Sequence, residues 1–481
     1  MLDTSSLQIL GAAGTVTGSK YLLRFQQQSL LLDCGLFQGL KELRLRNWAK
    51  VPFDLSQLKA VVLSHAHLDH TGYLPLLVRQ GYRGPIYCSS GTADLLGVLL
   101  PDSAHLQEEE AARANRYSYS KHAPALPLYT VADAQATLRL VETKPYREAF
   151  SAVEGVQVRF RPNGHILGSC SVELELKTQP AFRIVFSGDV GRYGRPILHD
   201  PEPVPQADLL LVESTYGDRI HAPDPINELA EVVNQSVARG GALLIPAFAV
   251  GRTQELVWAI RQLEDSGRIP TLPVFIDSPM AIDVSALYCR HPEDHALDMK
   301  LLMDEKRCPL CCKKYQLTRT PDESKALNDI KGPFIVIAGA GMLTGGRILH
   351  HLKYRLPDPR TTVLLAGFQS IGTRGRLLQE GTKHLRIHGQ DVPVRAAVVT
   401  LHGYSGHGDR NELLRWLSGF QKPPRLTLVV HGEPVPALAL TTALQERWRS
   451  AVRPAQDGEV VSIARLLDDS PSSMSLPEVA R

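Results

Sequence analysis

The stretch His65-Ala66-His67-Leu68-Asp69-His70 follows directly after the apolar run Lys59–Leu63, which predicts a buried strand. Loops at strand ends are where a fixed scaffold holds functional side chains. Three imidazoles and one carboxylate within six residues suit zinc, which binds nitrogen and oxygen ligands. One ion cannot easily take all four ligands from so short a loop, so the spacing predicts two ions. The alternative is a histidine-rich surface loop, and such loops seldom follow a buried strand.

Four further polar residues follow apolar runs or Gly-rich turns elsewhere in the chain. They are Asp33 after Leu31-Leu32, His165 after Gly164, Asp189 after Phe186-Ser187-Gly188, and His431 after Val429-Val430. Together with the loop of residues 65–70, this ordered set resembles the signature of the metallo-β-lactamase superfamily. The resemblance implies an α/β fold, namely the αββα sandwich with its metals at the strand ends.

The resemblance also implies a role for each of these residues. The first ion would be bound by His65, His67 and His165, and the second ion by Asp69, His70 and His431. Asp189 would bridge the two ions. Asp33 would orient a ligand or a neighbouring loop, although it could also be a turn residue, and His165 could be an ordinary loop histidine. The implied cofactors are two Zn2+ ions per chain, and the ligand types also permit manganese.

Motifs in the second half of the chain indicate a subfamily within this superfamily. The apolar run Leu209–Val212 ends in Glu213-Ser214-Thr215-Tyr216-Gly217, and the string Ser405-Gly406-His407-Gly408-Asp409 precedes His431. The strings Ile245–Glu255 and Gly341–Arg347 accompany them. Over residues 8 to 460, this pattern resembles the β-CASP subfamily of nucleic-acid-cleaving metallo-β-lactamases and is similar to prokaryotic homologues of the mRNA 3′-end cleavage nuclease subunit. Glu213, His407 and His431 would be motifs A, B and C of the subfamily.

The resemblance implies that a second domain is inserted into the first. The metallo-β-lactamase domain would comprise residues 1–218 and 396–464, and the inserted α/β β-CASP domain would comprise residues 219–395. The active site would lie in the cleft between the two domains. The polar tail 465–481 contains proline and serine and predicts disorder.

The histidine at motif C bears on the substrate. RNA-acting members of the subfamily resemble this chain in having His there, whereas DNA-repair members tend to carry an apolar residue, so His431 favours RNA. The implied function is a zinc-dependent ribonuclease that hydrolyses phosphodiester bonds of single-stranded RNA by a two-metal mechanism, in RNA processing or decay. It would cut internally, with 5′–3′ exonuclease activity left open. The alternatives are a DNA nuclease, a small-molecule hydrolase of thioesters or lactams, and an inactive structural subunit.

Glu213 and His407 make chemical sense as a catalytic pair beside the metal ligand Asp69. A leaving 3′-oxygen needs a proton, and an imidazole beside a carboxylate stays protonated more readily. We therefore expect His407 to act as the general acid and Glu213 to orient it. Glu213 could instead cap a helix or form a salt bridge. Asp409 could bond His407 or the nearby backbone.

The Gly-rich turns of the predicted insert suit a polyanion, because backbone N–H groups at a helix start attract phosphate. The arginines just beyond such turns are Arg252, Arg347, Arg374 and Arg376. Each is a candidate phosphate contact or a structural salt bridge. Ser214 and Thr215 are candidates for lining the substrate site. Many relatives read Ala-Ser-Ser-Gly-Met where this chain has Ala338–Met342, so two hydroxyls are lost at this turn.

The composition is that of an ordinary protein with more than one domain. The chain has 481 residues, of which 43% are hydrophobic and 21% charged, and a formal net charge of +3. This balance permits a nucleic-acid partner without arguing for one. No run approaches the ~18 apolar residues of a membrane span, and no secretory signal opens the chain. We expect a cytoplasmic protein without membrane contact, and a homodimer is left open.

The seven cysteines are scattered, apart from a cluster at Cys308, Cys311 and Cys312. The lack of spaced pairs predicts a reducing compartment. The cluster resembles half of a zinc knuckle, and Cys289, His291 and His295 lie upstream of it. The favoured interpretation is a run of free cysteines in a variable loop, with a further metal or a redox pair as alternatives.

Overall fold

The computed structural model describes residues 5–118, 120–221, 225–304, 309–367, 369–401 and 403–468. By its internal contacts the chain divides into two units. The first unit comprises the residues up to Ile220 together with those from His407 onward, and the second unit is His221–Gly406. In the described ranges, no helix combines the length and the apolar character that a membrane crossing requires.

The first segment of the first unit is rich in short strands whose side chains alternate between the core and the outside, as Val156–Pro162 does without exception. Its strands are β1 (Ser6–Ile9), β2 (Tyr21–Phe25), β3 (Gln28–Leu32), β4 (Leu58–Val62), β5 (Ile86–Cys88), β6 (Val141–Thr143), β7 (Ala149–Val153), β8 (Val156–Pro162), β9 (Cys170–Leu176), β10 (Phe182–Phe186) and β11 (Leu209–Glu213). Its helices are α1 (Lys41–Arg46), α2 (Leu68–Thr71), α3 (Leu74–Arg79), α4 (Ser90–Tyr117) and α5 (Val131–Leu138).

The second unit alternates strands and helices. Its strands are β12 (Ala242–Pro246), β13 (Pro273–Ile276), β14 (Lys314–Leu317), β15 (Phe334–Ala338), β16 (Thr362–Leu365), β17 (His384–Ile387), β18 (Gln390–Pro393) and β19 (Ala397–Thr400). Its helices are α6 (Pro225–Arg239), α7 (Arg252–Asp265), α8 (Pro279–Tyr288), α9 (Leu297–Asp304), α10 (Pro321–Ala326), α11 (Ile348–Arg355) and α12 (Arg374–Gln379), with 3-10 turns at Pro292–Asp294 and Leu327–Asp329.

The chain then returns to the first unit and completes its two sheets. The returning elements are α13 (Arg410–Leu417), β20 (Leu426–Val430), α14 (Pro434–Arg447), β21 (Ala451–Pro454), β22 (Val460–Ser462) and α15 (Ile463–Asp468). One sheet has the strand order β22-β1-β2-β3-β4-β5-β6, and the other has the order β21-β20-β11-β10-β9-β8-β7. Each sheet therefore contains a strand from each segment of the chain.

The two sheets of the first unit pack face to face over one apolar core. Leu23 and Val62 of the one sheet lie in the same buried cluster as Phe160 and Leu211 of the other. The outer face of the second sheet is covered by α13 and α14, whose Trp416 belongs to a separate buried cluster with strand residues. Helix α5 packs on both α3 and α4, and α4 contacts β6. The expected αββα sandwich is confirmed.

The second unit is built on a six-stranded parallel sheet of order β14-β13-β15-β12-β16-β19. Successive residues of β12 face opposite sides, because Leu243 packs with α6, α7 and α8 while Leu244 packs with α11 and α12. Helices therefore cover both faces, as all-parallel sheets require. The β17–β18 hairpin adds Leu385 to the second of these layers.

The observed division differs from the expected boundaries at the return of the chain. We expected the insert to end at residue 395, but β19 pairs with β16 and so extends the sheet of the second unit. The division falls at Gly406 because strand pairing, which the local sequence does not display, holds residues 397–400 in that sheet. The tail expected from residue 465 begins inside α15, and residues 469–481 lie outside the described residues.

Candidate metal centre

The polar residues of the predicted site follow the carboxyl ends of parallel strands in the first unit. Asp33 and His65 follow the parallel neighbours β3 and β4. Asp189, Glu213 and His431 stand at or just beyond the ends of β10, β11 and β20, which are also parallel. Because the carboxyl ends of parallel strands share one edge of a sheet, this topology collects donors that lie far apart in sequence.

The first group of metal donors consists of His65, His67 and His165. His165 follows β8, which is antiparallel to β9 and therefore parallel to β10. His67 Nδ1 lies 3.1 Å from His65 Nε2 and 3.2 Å from His165 Nε2. The three nitrogens converge and, with Asp189, form a group able to hold one metal ion.

The second group consists of Asp69, His70 and His431. The two Nε2 atoms of His70 and His431 are 3.1 Å apart. Asp69 Oδ2 lies 3.5 Å from His431 Nε2 and 3.9 Å from His70 Nε2. These three residues also form a group able to hold a metal ion.

Asp189 lies between the two groups and turns one carboxylate oxygen toward each. Its Oδ2 is 3.5 Å from His65 Nε2 and 3.6 Å from His165 Nε2. Its Oδ1 is 3.3 Å from His70 Nε2 and 3.4 Å from His431 Nδ1. This is the arrangement that a carboxylate bridging two ions requires.

The donor set fits zinc on two observations. Two nitrogens bound to one tetrahedral zinc at 2.0–2.1 Å lie about 3.3 Å apart, close to the 3.1 and 3.2 Å separations of the imidazole nitrogens. In addition, Asp189 Oδ1 is buried without a hydrogen bond. A buried carboxylate oxygen in that state is costly unless a cation compensates it.

The electrostatics of the site favour neutral imidazoles at His65 and His67 beside an ionised Asp69. Burial lowers the pKa of His67 to about 4, and burial together with His70 also lowers the pKa of His65. Burial alone would lower the pKa of His70 as well, but the charges of Asp189 and Asp33 outweigh it and raise this pKa. Burial alone would raise the pKa of Asp69, but His431 and His70 outweigh it and lower this pKa to about 2. A neutral imidazole offers the lone pair that a metal binds.

Asp33 belongs to neither group of metal donors but contacts one of the donors, His70. Its Oδ2 lies 2.6 Å from His70 Nδ1, so that His70 Nε2 is left to face the metal group. Its carboxylate also accepts hydrogen bonds from Ser64 N at 2.7 Å and Ser64 Oγ at 2.8 Å. Ser64 Oγ in turn lies 3.1 Å from His65 Nδ1. Sequence reasoning missed Ser64, although its position directly before His65 was a usable signal.

Thr215 and Ser214, which we expected to line the substrate site, are buried against motif C instead. Thr215 Oγ1 lies 3.2 Å from His431 Nδ1, and Ser214 Oγ donates to the carbonyl of Val430 at 2.9 Å. His431 has a φ of 47°, and Asp33 has a φ of 53°. Non-glycine residues in this left-handed region persist where their surroundings hold them, which is common at functional sites.

Glu213 and His407 form the pair that the sequence predicted. His407 Nδ1 lies 3.2 Å from Glu213 Oε1, and Glu213 is fully buried. Glu213 also accepts hydrogen bonds from the backbone N–H groups of Val190 and Thr215. Burial alone would lower the pKa of His407, but the charges of Glu213 and Asp189 outweigh it and raise the pKa to about 9.

Asp409 caps helix α13. Its carboxylate accepts a hydrogen bond from Glu412 N, and the Glu412 side chain accepts one from Asp409 N, so the two form a capping box. The nearby backbone is therefore one of the two partners that the sequence suggested for Asp409. Glu412 is further bonded to Arg192, which ties the start of α13 to the loop after Asp189.

All four candidate phosphate-binding arginines have partners within the second unit. Arg347 donates to Asp277 Oδ1 at 2.7 Å and to the carbonyls of Thr318 and Arg319. This makes Arg347 a structural residue of the second unit. Arg252 is only 8% exposed and pairs with Glu255 at 2.5 Å, while its Nε has no hydrogen-bond partner.

The other two arginines lie at the start of α12. Arg374 donates to the carbonyl oxygens of Arg386 and Leu343, which joins the helix to the hairpin strand β17. Arg376 pairs with Glu380 one turn later and remains partly exposed. Phosphate binding by Arg252, Arg374 and Arg376 stays a prediction.

The cysteine cluster is described only in part. Cys308 lies outside the described residues, so the alternative of a metal site in this cluster is not tested. Cys312 is a buried free thiol in the core of the second unit, as the favoured interpretation expects, but Cys311 is in a disulfide, so the expectation of a run of free cysteines is wrong at that position. Upstream, His291, Glu293 and Asp294 form a further group of possible ligands.

Three family models match the chain in consecutive parts. Residues 28–238 match the Beta-lactamase superfamily domain, residues 253–378 match the Beta-Casp domain, and residues 391–453 match the Zn-dependent metallo-hydrolase RNA specificity domain. The first and last matches include the residues of the two metal groups, and the middle match falls within the second unit.

Two relatives match more than nine tenths of this chain. Over 463 residues the chain is 38% identical to Ribonuclease TTHA0252 of Thermus thermophilus, which covers 96% of this chain and 98% of that protein. Over 468 residues it is 29% identical to Transcription termination factor FttA of Methanosarcina mazei, covering 94% of this chain and 71% of that protein.

A solved structure shares the fold. A protein of unknown function from Enterococcus faecalis V583 superposes with a TM-score of 0.55 at 14% identity, covering 95% of this chain and 99% of that chain. The donor geometry, the matched domains and the near full-length similarity to the Thermus protein agree with one another. The chain belongs to the β-CASP family of metallo-β-lactamase-fold hydrolases.

Proposed function

We propose that this chain is a zinc-dependent ribonuclease that hydrolyses phosphodiester bonds of single-stranded RNA with two metal ions. The observation that carries the proposal is the pair of donor groups that share Asp189, with the Glu213–His407 pair beside them. A related protein named as a ribonuclease and a matched domain described by RNA specificity support RNA as the substrate. We place this activity in RNA processing or decay in the cytoplasm.

The metal-binding roles follow from the two donor groups. His65, His67 and His165 would hold one ion, and Asp69, His70 and His431 would hold the other, with Asp189 shared. When bound, the two ions would lower the pKa of an attacking water and neutralise charge that develops on the phosphate. Asp33 and Thr215 would fix the two imidazoles that face the second ion.

His407 would supply the proton for the leaving group. Hydrolysis forms a bond from water oxygen to phosphorus and breaks the bond from phosphorus to the 3′-oxygen, which must gain a proton. The Nδ1 of His407 faces Glu213, so the proton would be donated from Nε2. Glu213 keeps the imidazole oriented and favours its protonated form.

The test is a cleavage assay with purified protein. End-labelled single-stranded RNA and matched DNA are incubated with zinc or with a chelator, beside the variants His67→Ala and His105→Ala. His105 is an exposed histidine on α4 and is the matched control. We expect zinc-dependent cutting of RNA that is lost in His67→Ala and retained in His105→Ala.

Each other outcome selects a different function. Cutting of DNA with equal efficiency would favour a general nuclease over a ribonuclease. Two bound zinc ions without cleavage of either polymer would favour a small-molecule hydrolase. Fragment lengths distinguish internal cutting from 5′–3′ digestion, which we propose as an accompanying activity, and the homodimer stays a prediction for size measurement.

A further inference from the structure

Helix α1 and the residues around it expose apolar side chains to an unusual degree. No residue of α1 is buried. Leu40 is 46% exposed, Leu45 56% and Trp48 55%. The other three tryptophans, Trp258, Trp416 and Trp448, are all buried, which is the ordinary state of this side chain. We call residues Leu40–Lys50 the α1 surface.

Hydrogen bonds, an ion pair and a cation–π contact anchor the α1 surface to neighbouring parts of the first unit. Asn47 is buried and exchanges two hydrogen bonds with the backbone of Phe37, at 2.9 and 2.8 Å. Arg46 lies over the Phe37 ring at 4.1 Å and pairs with Asp457 at 3.0 Å. Tyr73 donates to the carbonyl of Ala49. An anchored segment that points apolar side chains outward is typical of an interaction surface.

Cationic side chains accompany the exposed apolar ones. Lys41, Arg44 and Lys50 are exposed and form no ion pair with any residue in the described ranges, and Glu42 is the acidic residue of the segment. Lys41, Leu45 and Trp48 follow each other at helical spacings of four and three residues, so they lie along one side of the turn.

The α1 surface begins close to the metal ligands. Leu36 N donates to the carbonyl of Leu68, and a Cβ added to Gly35 would lie 1.5 Å from the carbonyl oxygen of Asp69. Gly35 is six residues before Lys41, so the start of α1 lies at most about 25 Å from the backbone of Asp69. A single strand with one phosphate at the metal centre can reach that far within a few nucleotides.

We propose that the α1 surface binds the single-stranded RNA that flanks the cleaved phosphate, with a base stacked on Trp48 and with Lys41, Arg44 and Lys50 contacting phosphates. This proposal rests on the proposed ribonuclease function. The positive charge of the α1 surface favours RNA over a second copy of this chain as its binding partner. A twofold contact of this surface with itself would bring unpaired cations together, whereas a polyanion neutralises them.

Binding is measured with a fluorescently labelled 20-nucleotide RNA and the zinc-loaded full chain carrying His407→Ala to slow cleavage. Adding Trp48→Ala should weaken binding about 5- to 100-fold, the range that one lost base stack gives. Adding Lys41→Gln with Arg44→Gln should make the slope of log K against log salt shallower by about 1.4, since each phosphate contact contributes about 0.7. Leu106→Ala and Arg113→Gln, on exposed positions of α4, should change neither quantity.

Tryptophan emission gives a direct readout, because Trp48 is the exposed tryptophan of four. We expect RNA to shield the emission from acrylamide, and this effect should vanish in Trp48→Phe, whose ring still stacks and preserves most of the affinity. Turnover of bis(p-nitrophenyl) phosphate by the chain without His407→Ala should be unaffected by Trp48→Ala, because this substrate does not reach the α1 surface.

Unchanged RNA affinity in Trp48→Ala and an unchanged salt slope would overturn the proposal while leaving the ribonuclease function intact. A loss of self-association without any effect on RNA would overturn it in favour of a contact between copies. A parent protein that neither binds nor cuts RNA would overturn both proposals at once. Equal thermal unfolding temperatures of parent and variants exclude misfolding as the cause of a lost affinity.

Discussion

Thr215 lies on the Nδ1 side of the His431 imidazole, away from the Nε2 that faces His70. Its hydroxyl lies 3.2 Å from Nδ1 and also 3.2 Å from the carbonyl oxygen of His431, to which it donates. The hydroxyl oxygen can then accept from an Nδ1–H, which leaves Nε2 deprotonated and facing His70. Partners that orient a metal-binding imidazole in this way affect metal affinity almost as strongly as the ligands themselves.

We expect Thr215→Val, which keeps the shape and removes the hydroxyl, to weaken zinc binding about 10- to 100-fold. Competition with a chromophoric chelator measures the affinity of each site. Thr442→Val is the matched control, because the Thr442 hydroxyl lies on the exposed side of α14 and bonds only within that helix. Zinc affinity equal to that of the parent would show that Thr215 does not orient His431.

The role of His407 is separable from metal binding. His407→Ala should retain both zinc ions and slow RNA cleavage about 100-fold or more, the usual contribution of a general acid. The loss should be much smaller for bis(p-nitrophenyl) phosphate, because its leaving group needs no proton. Parallel assays of the two substrates, with the zinc content measured on each sample, provide the test. An equal loss on both substrates would contradict proton donation by His407.

At the scale of elements, Asp277 ties α10 and α11 to the end of β13. It is fully buried and bonds His351 Nε2 at 2.7 Å, Ser324 Oγ at 2.6 Å and Arg347 at 2.7 Å. Burial alone would raise the pKa of Asp277, but the hydrogen bonds from His351, Ser324 and Arg347 outweigh it and lower the pKa below its usual value. This network explains why Arg347 follows a Gly-rich turn without being available to phosphate.

The lowered pKa of Asp277 makes its contribution to stability pH-dependent. The unfolded state binds the proton more readily, so the stabilisation is present above about pH 3.9 and is lost as the pH falls through the lower folded pKa. At pH 7, Asp277→Asn should lower the unfolding free energy by ~1–3 kcal/mol, because Arg347 and His351 lose a charged partner.

Urea denaturation of parent and Asp277→Asn between pH 7 and pH 3 measures this dependence. The difference in unfolding free energy should be constant down to about pH 4 and shrink below it. Asp322→Asn, at an exposed position of α10, should match the parent throughout. A difference that grows on acidification would contradict the lowered pKa.

At the scale of the whole molecule, the metal centre joins the two chain segments of the first unit. His65, His70 and Asp189 come from the segment before the insert, and His431 comes from the segment after it. A ligand that binds only the folded state stabilises that state. A zinc ion bound by both His70 and His431 would therefore link parts of the chain that are 361 residues apart.

We expect saturating zinc to raise the unfolding temperature of the parent, with a gain of ~4 kcal/mol when free zinc exceeds the dissociation constant a thousandfold. Differential scanning calorimetry with zinc or with chelator measures the shift. His67→Ala should lose most of it, and His105→Ala should keep all of it. A shift of the same size in His67→Ala would mean that zinc stabilises the chain from another site.

Much of the fold was predictable because its signals are local. Apolar strands that end in Asp, His or Glu are visible in the sequence, and β3, β4, β10, β11 and β20 lie where such runs were seen. The return of the chain at residue 396 was misplaced by about one strand, because whether β19 joins the sheet of the insert depends on its pairing with β16.

The contacts made by the residues around the metal donors were less predictable. A hydroxyl that follows a catalytic carboxylate can line the substrate site or hold a metal ligand in place, and the order Glu213-Ser214-Thr215 is compatible with both. The structure buries Thr215 against His431 and Ser214 against Val430. The ion pair of Arg347 could not be predicted either, because its partner Asp277 lies 70 residues away in sequence.

The sequence by itself determined which residue types are available as metal donors and in what order they follow the strands, because both are properties of short stretches of chain. The tertiary structure alone decided that Asp189 offers one oxygen to each donor group, that Thr215 faces His431, and that Trp48 stays outside the core. Those outcomes depend on strand pairing and packing between distant segments. The distances between these side chains and the directions in which they point are set only when the distant segments pack together.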